Sequence, residues 1–330
     1  MILLRLSLAA VLCGLTARAA DSFHGKIERF DPAFDHLVAA DAKLEKLADG
    51  IQWAEGPVWY EDGLVVSDPP ANVAYRWVAG AVGLTRFLHP SGGIAPASGF
   101  REPGSNGLIL DGKGRLLLCQ DGLRRIARFE NGKFTTVADR FEGKRFSSPN
   151  DLAVRRDGAI YFTDPPYGLA GMDKSPLKEQ PVNGVYRVAP DGTVTRIVSD
   201  QTFPNGLAFS PDERVLYLSN SDGSDSRITA YDVKADGAVA NPRRFFDTKS
   251  DPHEQGVPGW FDGLKVDHEG NVWTSGPGGI LVVSPQGKLL GRLSTGMPTA
   301  NCAFAPDSEL YIAANHCVLR VQALTKDATM

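Results

Sequence analysis

Asn150-Asp151-Leu152-Ala153-Val154 opens a short apolar run with a polar residue, and after the turn Arg156-Asp157-Gly158 comes a second run, Ile160-Tyr161-Phe162-Thr163. The same two-part phrase recurs along the chain. Its other openings are Glu55-Gly56-Pro57-Val58-Trp59, Asn106-Gly107-Leu108-Ile109-Leu110, Asn205-Gly206-Leu207-Ala208-Phe209, Asp262-Gly263-Leu264-Lys265-Val266 and Asn301-Cys302-Ala303-Phe304. Second runs ending in Ser or Thr follow at Leu64-Val65-Val66-Ser67, Leu216-Tyr217-Leu218-Ser219 and Val272-Trp273-Thr274-Ser275, and outer strands read at Val185–Val188, Ile228–Tyr231 and Ile280–Val283. The openings lie 51, 44, 55, 57 and 39 residues apart. Repeats of roughly 40 to 50 residues built from short strands specify a β-propeller. The expected fold is therefore all-β, a six-bladed β-propeller. Equivalent positions of the blades converge on one axis, so Glu55, Asn106, Asn150, Asn205, Asp262 and Asn301 are expected to ring one point.

Working outward, the 330 residues form one repeating ring, expected to be a single domain over residues 20–330. Turn punctuation such as Glu61-Asp62-Gly63, Asp111-Gly112-Lys113-Gly114 and His268-Glu269-Gly270 separates the strands. The segment before Glu55 is expected to complete the last blade. The longer connections at 88–105, 164–183 and 247–261 are expected to form a rim, where loops on a rigid scaffold carry binding residues.

Residues 1–19 read as a signal peptide: Arg5, an apolar stretch from Leu6 to Leu15, and an A-x-A site at Ala17-Arg18-Ala19. The expected location is periplasmic or secreted, with cleavage near Ala19 or Ala20 and no membrane association afterwards, since the apolar stretch is too short to span a bilayer. Cleavage leaves 33 basic against 39 acidic residues, with no basic patch, which argues against nucleic acid as a partner. It also leaves Cys119, Cys302 and Cys317, an odd number without zinc-type spacing. Cys302 and Cys317 fall on strands of one blade separated by a third, so all three read as buried apolar residues.

Two carboxylates and several amides around an axis make a site for a hard cation. Calcium takes roughly six to eight oxygen ligands, and magnesium fewer protein oxygens and more water. An oxygen-only set does not select zinc, although transition metals bind such sites by raw affinity. The expected cofactor is one divalent cation, Ca2+ first, with Mg2+, Mn2+ or Zn2+ as alternatives. There is no G-x-S-x-G elbow and no H-E-x-x-H motif. Asp222-Gly223-Ser224-Asp225 reads as a hairpin turn, Pro277-Gly278-Gly279 as a turn, and His253 and His316 as solvated histidines.

At these residues the chain resembles the SMP-30/gluconolactonase family of six-bladed propellers. Ser148-Pro149-Asn150-Asp151-Leu152 with Tyr161-Phe162-Thr163-Asp164-Pro165-Pro166-Tyr167-Gly168 is similar to its bacterial gluconolactonase branch, and Glu55-Gly56-Pro57 and Asp262 to Asp267 add to the match. The resemblance covers nearly all of residues 50–322. It implies a divalent cation held by Glu55, Asn150, Asn205 and Asp262, with Asn106 and Asn301 filling the other ring positions. It also implies Asp262 as the catalytic carboxylate and a sugar lactone as substrate, hydrolysed to the aldonic acid. Asn106, Asn150, Tyr167 and Asp121 are the expected substrate contacts, with Arg145 and Asp164 as further loop candidates. Animal members carry an Arg where this chain has Ser148, and bacterial relatives often a His where it has Asp121. Hydrolysis of another lactone or a phosphotriester on the same ring, and a non-catalytic exported binding propeller, remain the alternatives.

Overall fold

A computed structural model describes residues 24–94, 98–247, 249 and 259–329. Each repeat folds into an antiparallel sheet whose strands run in sequence order from the axis outward. Blade one comprises Glu55–Tyr60, Gly63–Asp68, Val73–Val78 and Thr85–Leu88, and blade two Ser105–Leu110, Leu116–Gln120, Arg125–Glu130 and Lys133–Ala138. Blade three comprises Leu152–Val154, Ile160–Asp164, Gly184–Val188 and Val194–Val198, and blade four Pro204–Phe209, Val215–Asn220, Arg227–Val233 and Val239–Asp247. Blade five comprises Leu264–Val266, Val272–Gly276, Gly279–Val283 and Leu289–Ser294, and blade six Thr299–Phe304, Glu309–Ala314 and Cys317–Gln322. The N-terminal segment supplies the outermost strands of the last two blades. Glu45–Asp49 pairs with Cys317–Gln322 and completes blade six, as expected, whereas Lys26–Arg29 adds an unexpected fifth strand to blade five.

Second strands are buried on both faces because each sheet is sandwiched between its neighbours; Leu116–Gln120 and Ile160–Asp164 are buried throughout. The core is accordingly a set of apolar layers between blades. Leu117, Cys119 and Ile126 of blade two pack with Leu152, Phe162 and Tyr186 of blade three. Leu64, Val66 and Trp77 of blade one pack with Tyr311, Ala313 and Val318 of blade six. Closing the ring this way leaves only short outer edges to solvent.

Cys119, Cys302 and Cys317 are free and buried. The strand Glu309–Ala314 separates the last two, and burial raises all three thiols above their ordinary pKa. Short 3-10 turns stand at Pro32–His36 and Met172–Lys174, and no described helix is long and apolar enough to cross a membrane. The proposed signal segment, including Cys13, and His253 lie outside the described residues.

Candidate active site

The site is made by the way the inner strands begin. Four of them change register at the start, between Glu55 and Val58, Ser105 and Leu108, Pro204 and Leu207, and Thr299 and Asn301. The other two pair regularly only from Leu152 and Leu264. Such irregular starts re-aim a side chain out of the sheet, here toward the axis. The glycine that follows the polar residue lets the next blade approach. Gly107 N donates to Asn150 O (2.7 Å), Gly206 N to Asp262 O (3.1 Å) and Gly263 N to Ala300 O (2.8 Å). A Cβ at position 206 would lie 2.4 Å from Asp262 O, which only glycine avoids.

These bonds identify the equivalent positions and correct one expectation. Ala300, not Asn301, occupies the slot of Asn150 and Asp262. Asn301 sits one step deeper, in the glycine slot, and so does Asp151. Asn301 Nδ2 donates to Asp151 Oδ2 (3.3 Å), and its Oδ1 accepts from Cys302 N (2.9 Å) and faces Lys265 Nζ (3.5 Å). The ring therefore carries five oxygen-bearing side chains above a layer of buried Asp151 and Asn301 with partly buried Lys265.

The five side chains, Glu55, Asn106, Asn150, Asn205 and Asp262, form the floor of a cavity of about 880 Å³. The first four are nearly inaccessible and Asp262 is partly open to the cavity. Glu55 accepts from Trp53 Nε1 (3.3 Å) and Gly56 N (3.1 Å). Asn205 Nδ2 donates to Ser221 Oγ (3.1 Å), whose hydroxyl donates to Phe261 O. Asp262 N donates to Ser275 Oγ (3.1 Å), while Asp262 Oδ1 is buried with no hydrogen-bond partner. Tyr167 lines the wall, stacked on Phe203 at 5.6 Å, and its hydroxyl is likewise buried and unpartnered.

Burial raises Glu55 to about 8, with the charge of Asp151 adding to the effect. Burial and then the charges of Glu55 and Asp151 push Asp262 well above the usual carboxylate range. Two buried carboxylates thus repel each other without a cationic side chain between them. Arg101 is the cation among the described lining residues, and it is ion-paired to Glu102 at the mouth. The orphaned Asp262 oxygen, the mutual repulsion and the oxygen-rich donors fit a divalent cation. Among the described residues no three His, Cys, Asp or Glu side chains cluster as a metal site, so amide oxygens would have to complete the coordination.

Three expected substrate-side residues do not line the cavity. Asp121 is buried behind the wall, packed on Gly168, with one carboxylate oxygen unpartnered; burial and the charge of Glu102 raise it well above the usual range. Asp164 is buried and accepts Ser147 N at 2.8 Å through both oxygens. Arg145 is tied to Leu123 O and, through its backbone N–H, to Glu179. His316 is exposed in the hairpin between two blade-six strands and also stays outside. The sequence reading missed Trp53, Arg101, Glu102, Phe203, Ser221 and Trp260 as lining residues. The signal for some of them was loop length, since Arg101, Glu102 and Trp260 lie in two of the three long connections. Asp222 to Asp225 forms the expected turn, with Asp222 capping Ser224 N at 2.8 Å, and it too borders the cavity.

Residues 53–316 match the family described as SMP-30/Gluconolactonase/LRE-like region. A gluconolactonase of Zymomonas mobilis is 42% identical over 310 residues, covering 91% of this chain and 87% of that protein. A diisopropyl-fluorophosphatase of Loligo vulgaris is 24% identical over 82% of this chain and 88% of its own. The solved structure of a gluconolactonase from Xanthomonas campestris superposes with a TM-score of 0.77 at 33% identity, covering 93% of this chain and 99% of that one.

Proposed function

The chain belongs to the SMP-30/Gluconolactonase/LRE-like family, and from that membership we propose that its cavity hydrolyses sugar lactones of the glucono-1,5-lactone type to aldonic acids. The observation that carries this reading is the pair of carboxylates, buried Glu55 and partly open Asp262, converging with three amides on the floor of an open polar cavity. A propeller whose ion served only as a plug would fill this space with bulky side chains, and here the space is open.

In this reading Glu55, Asn150, Asn205 and Asp262 hold one divalent cation, with calcium favoured by the oxygen donors. When bound, the cation supplies Lewis-acid polarisation of a carbonyl oxygen. The chain's own residues do the rest. Asn106 and Asn150 face the lactone oxygens from the floor, and Tyr167, held flat on Phe203, offers its unpartnered hydroxyl to the sugar. Asp262, with one oxygen free of protein partners, orients the attacking water and takes its proton. Water adds across the acyl carbon–oxygen bond, the ring oxygen leaves as a hydroxyl, and the acyl carbon becomes the carboxylic acid. We further propose export to the periplasm or medium, on the pattern of residues 1–19.

The test is proton release from glucono-1,5-lactone by protein stripped with a chelator and reloaded with calcium, magnesium, manganese or zinc. Activity should vanish on stripping and return with calcium. Full activity in stripped protein would overturn the cation assignment, and no activity under any condition would overturn the lactonase reading.

A further inference from the structure

A lactone of one hexose does not account for the cavity. Its volume of about 880 Å³ has room for on the order of thirty waters at ~30 Å³ each, and a hexonolactone has only about a dozen heavy atoms. The polar floor takes up one end. At the mouth stands Trp260, 60% exposed, an unusual state for the largest apolar side chain. One side of its indole is held: a Cβ on Gly223 would lie 3.3–3.5 Å from Nε1, Cε2 and Cζ2, so the ring packs against that glycine. The chain alternates on either side of it. Phe261 is fully buried against Phe246, which turns Trp260 and Asp262 toward the cavity together.

We propose that Trp260 is the platform of a second subsite, which takes a glycosyl substituent on the lactone, so that the preferred substrate is the aldonolactone of a disaccharide or longer sugar. This rests on the lactonase reading for the ring at the floor. The chemistry selects a neutral sugar. The exposed indole offers an apolar face to sugar C–H groups, and Arg101, Glu102 and Asp222 border the same cavity with planar polar groups suited to hydroxyls. A phosphorylated or carboxylated substituent would meet Glu102 and Asp222, the lining carboxylates outside the cation set, against one guanidinium already paired to Glu102.

The experiment compares kcat/KM on glucono-1,5-lactone with that on the aldonolactones of cellobiose and maltose, in the calcium-loaded parent, Trp260→Ala and Trp260→Phe. At least one disaccharide lactone should have a KM about tenfold lower than the hexonolactone. Trp260→Ala should lower the disaccharide-to-hexose ratio of kcat/KM at least tenfold, with Trp260→Phe restoring most of it. Tryptophan fluorescence during titration with the disaccharide aldonic acids provides a readout independent of turnover, and quenching in the parent that is absent from Trp260→Phe is expected. Equal handling of the lactones, or a loss in Trp260→Ala that is the same on all of them, overturns the subsite. Should no lactone be hydrolysed, Trp260-dependent quenching keeps the sugar subsite while the lactonase reading falls, and absence of quenching removes both.

Discussion

At the scale of single residues, the two floor carboxylates do opposite things for stability and function. Burial already disfavours charge at both; the charge of Asp151 raises Glu55 further, and the charges of Glu55 and Asp151 raise Asp262. Replacing Glu55 by Gln should therefore raise the melting temperature in chelator and abolish the further rise expected of the parent in calcium, since a ligand stabilises only the state that binds it. A Glu55→Gln protein that gains as much from calcium as the parent would remove Glu55 from the cation site. Asp262→Asn should fold normally and lose turnover by about a hundredfold or more, the range of a lost general base; near-normal turnover would exclude Asp262 as the base. Asp164 makes a different case, because it is buried outside the cavity. Burial raises it to about 7, opposed by its hydrogen bonds from the Ser147 and Ser148 backbone. The folded state binds this proton more tightly than the unfolded chain, so stability from this group is complete below about pH 4 and declines as pH rises to about 7. Asp164→Asn keeps an acceptor for Ser147 N and should flatten that decline, by up to about 1.4 kcal/mol per pH unit. Parallel urea midpoints for parent and variant between pH 5 and 8 would sink this assignment.

At the scale of the element, the inner strand joins sequence to site, and it shows what could be read from the chain. The six openings were legible because a polar residue heading an apolar run is unusual, and six of them at blade spacing share one cause. Five reach the floor. The misreading of Asn301 has a physical origin: side-chain type marks where a polar group occurs, whereas the slot it fills is fixed by which backbone N–H meets the next blade's carbonyl. The glycines held that information. Gly56, Gly107, Gly206 and Gly263 directly follow their polar residues, and Asp151 and Asn301 stand where glycine would be, which places Ala300 on the ring. Asp121 was placed by resemblance alone, and no pattern in the chain distinguishes a carboxylate on the wall from one behind it. The glycine slot yields a prediction. Gly206→Ala puts a methyl 2.4 Å from Asp262 O and 2.7 Å from Gly263 Cα, both backbone atoms that cannot swing aside. It should cost about 1–3 kcal/mol, as overpacking does, and weaken calcium binding by displacing Asp262. Gly112→Ala, in a turn where nothing lies within 4 Å, is the control and should leave both unchanged. Equal calcium affinity in the two variants would uncouple blade spacing from the site.

At the scale of the whole molecule, the floor exists only if the ring is closed, because its donors come from five blades. Closure depends on the segment just ahead of the first floor residue, which pairs with blades at the other end of the chain. Glu45–Asp49 is the outer strand of blade six, fixed by Arg320 Nη2 to Glu45 Oε2 at 2.6 Å. Next to it, Trp59 and Trp77 of blade one pack on Tyr311 of blade six at 5.5 and 6.1 Å, forming the layer that joins the first and last repeats. Lys26–Arg29 extends the tie to blade five, with Arg292 Nε to Glu28 Oε2 at 2.7 Å. That fifth strand was not legible, since four residues of mixed charge carry no strand period of their own and pair only because Leu289–Ser294 offers an edge. Deleting residues 24–50 should leave both edges unpaired and open the first-to-last layer, and unpaired edges recruit other chains. The expected result is a broadened melt at lower temperature, association on size-exclusion chromatography and loss of calcium binding together with lactone hydrolysis. A peptide spanning residues 43–51, added in excess, should sharpen the melt by adding its strand to the Cys317–Gln322 edge. A truncated protein that melts with the parent, remains monodisperse and hydrolyses lactone would show that the interblade layers hold the ring by themselves, and that the N-terminal strands only cover its edges.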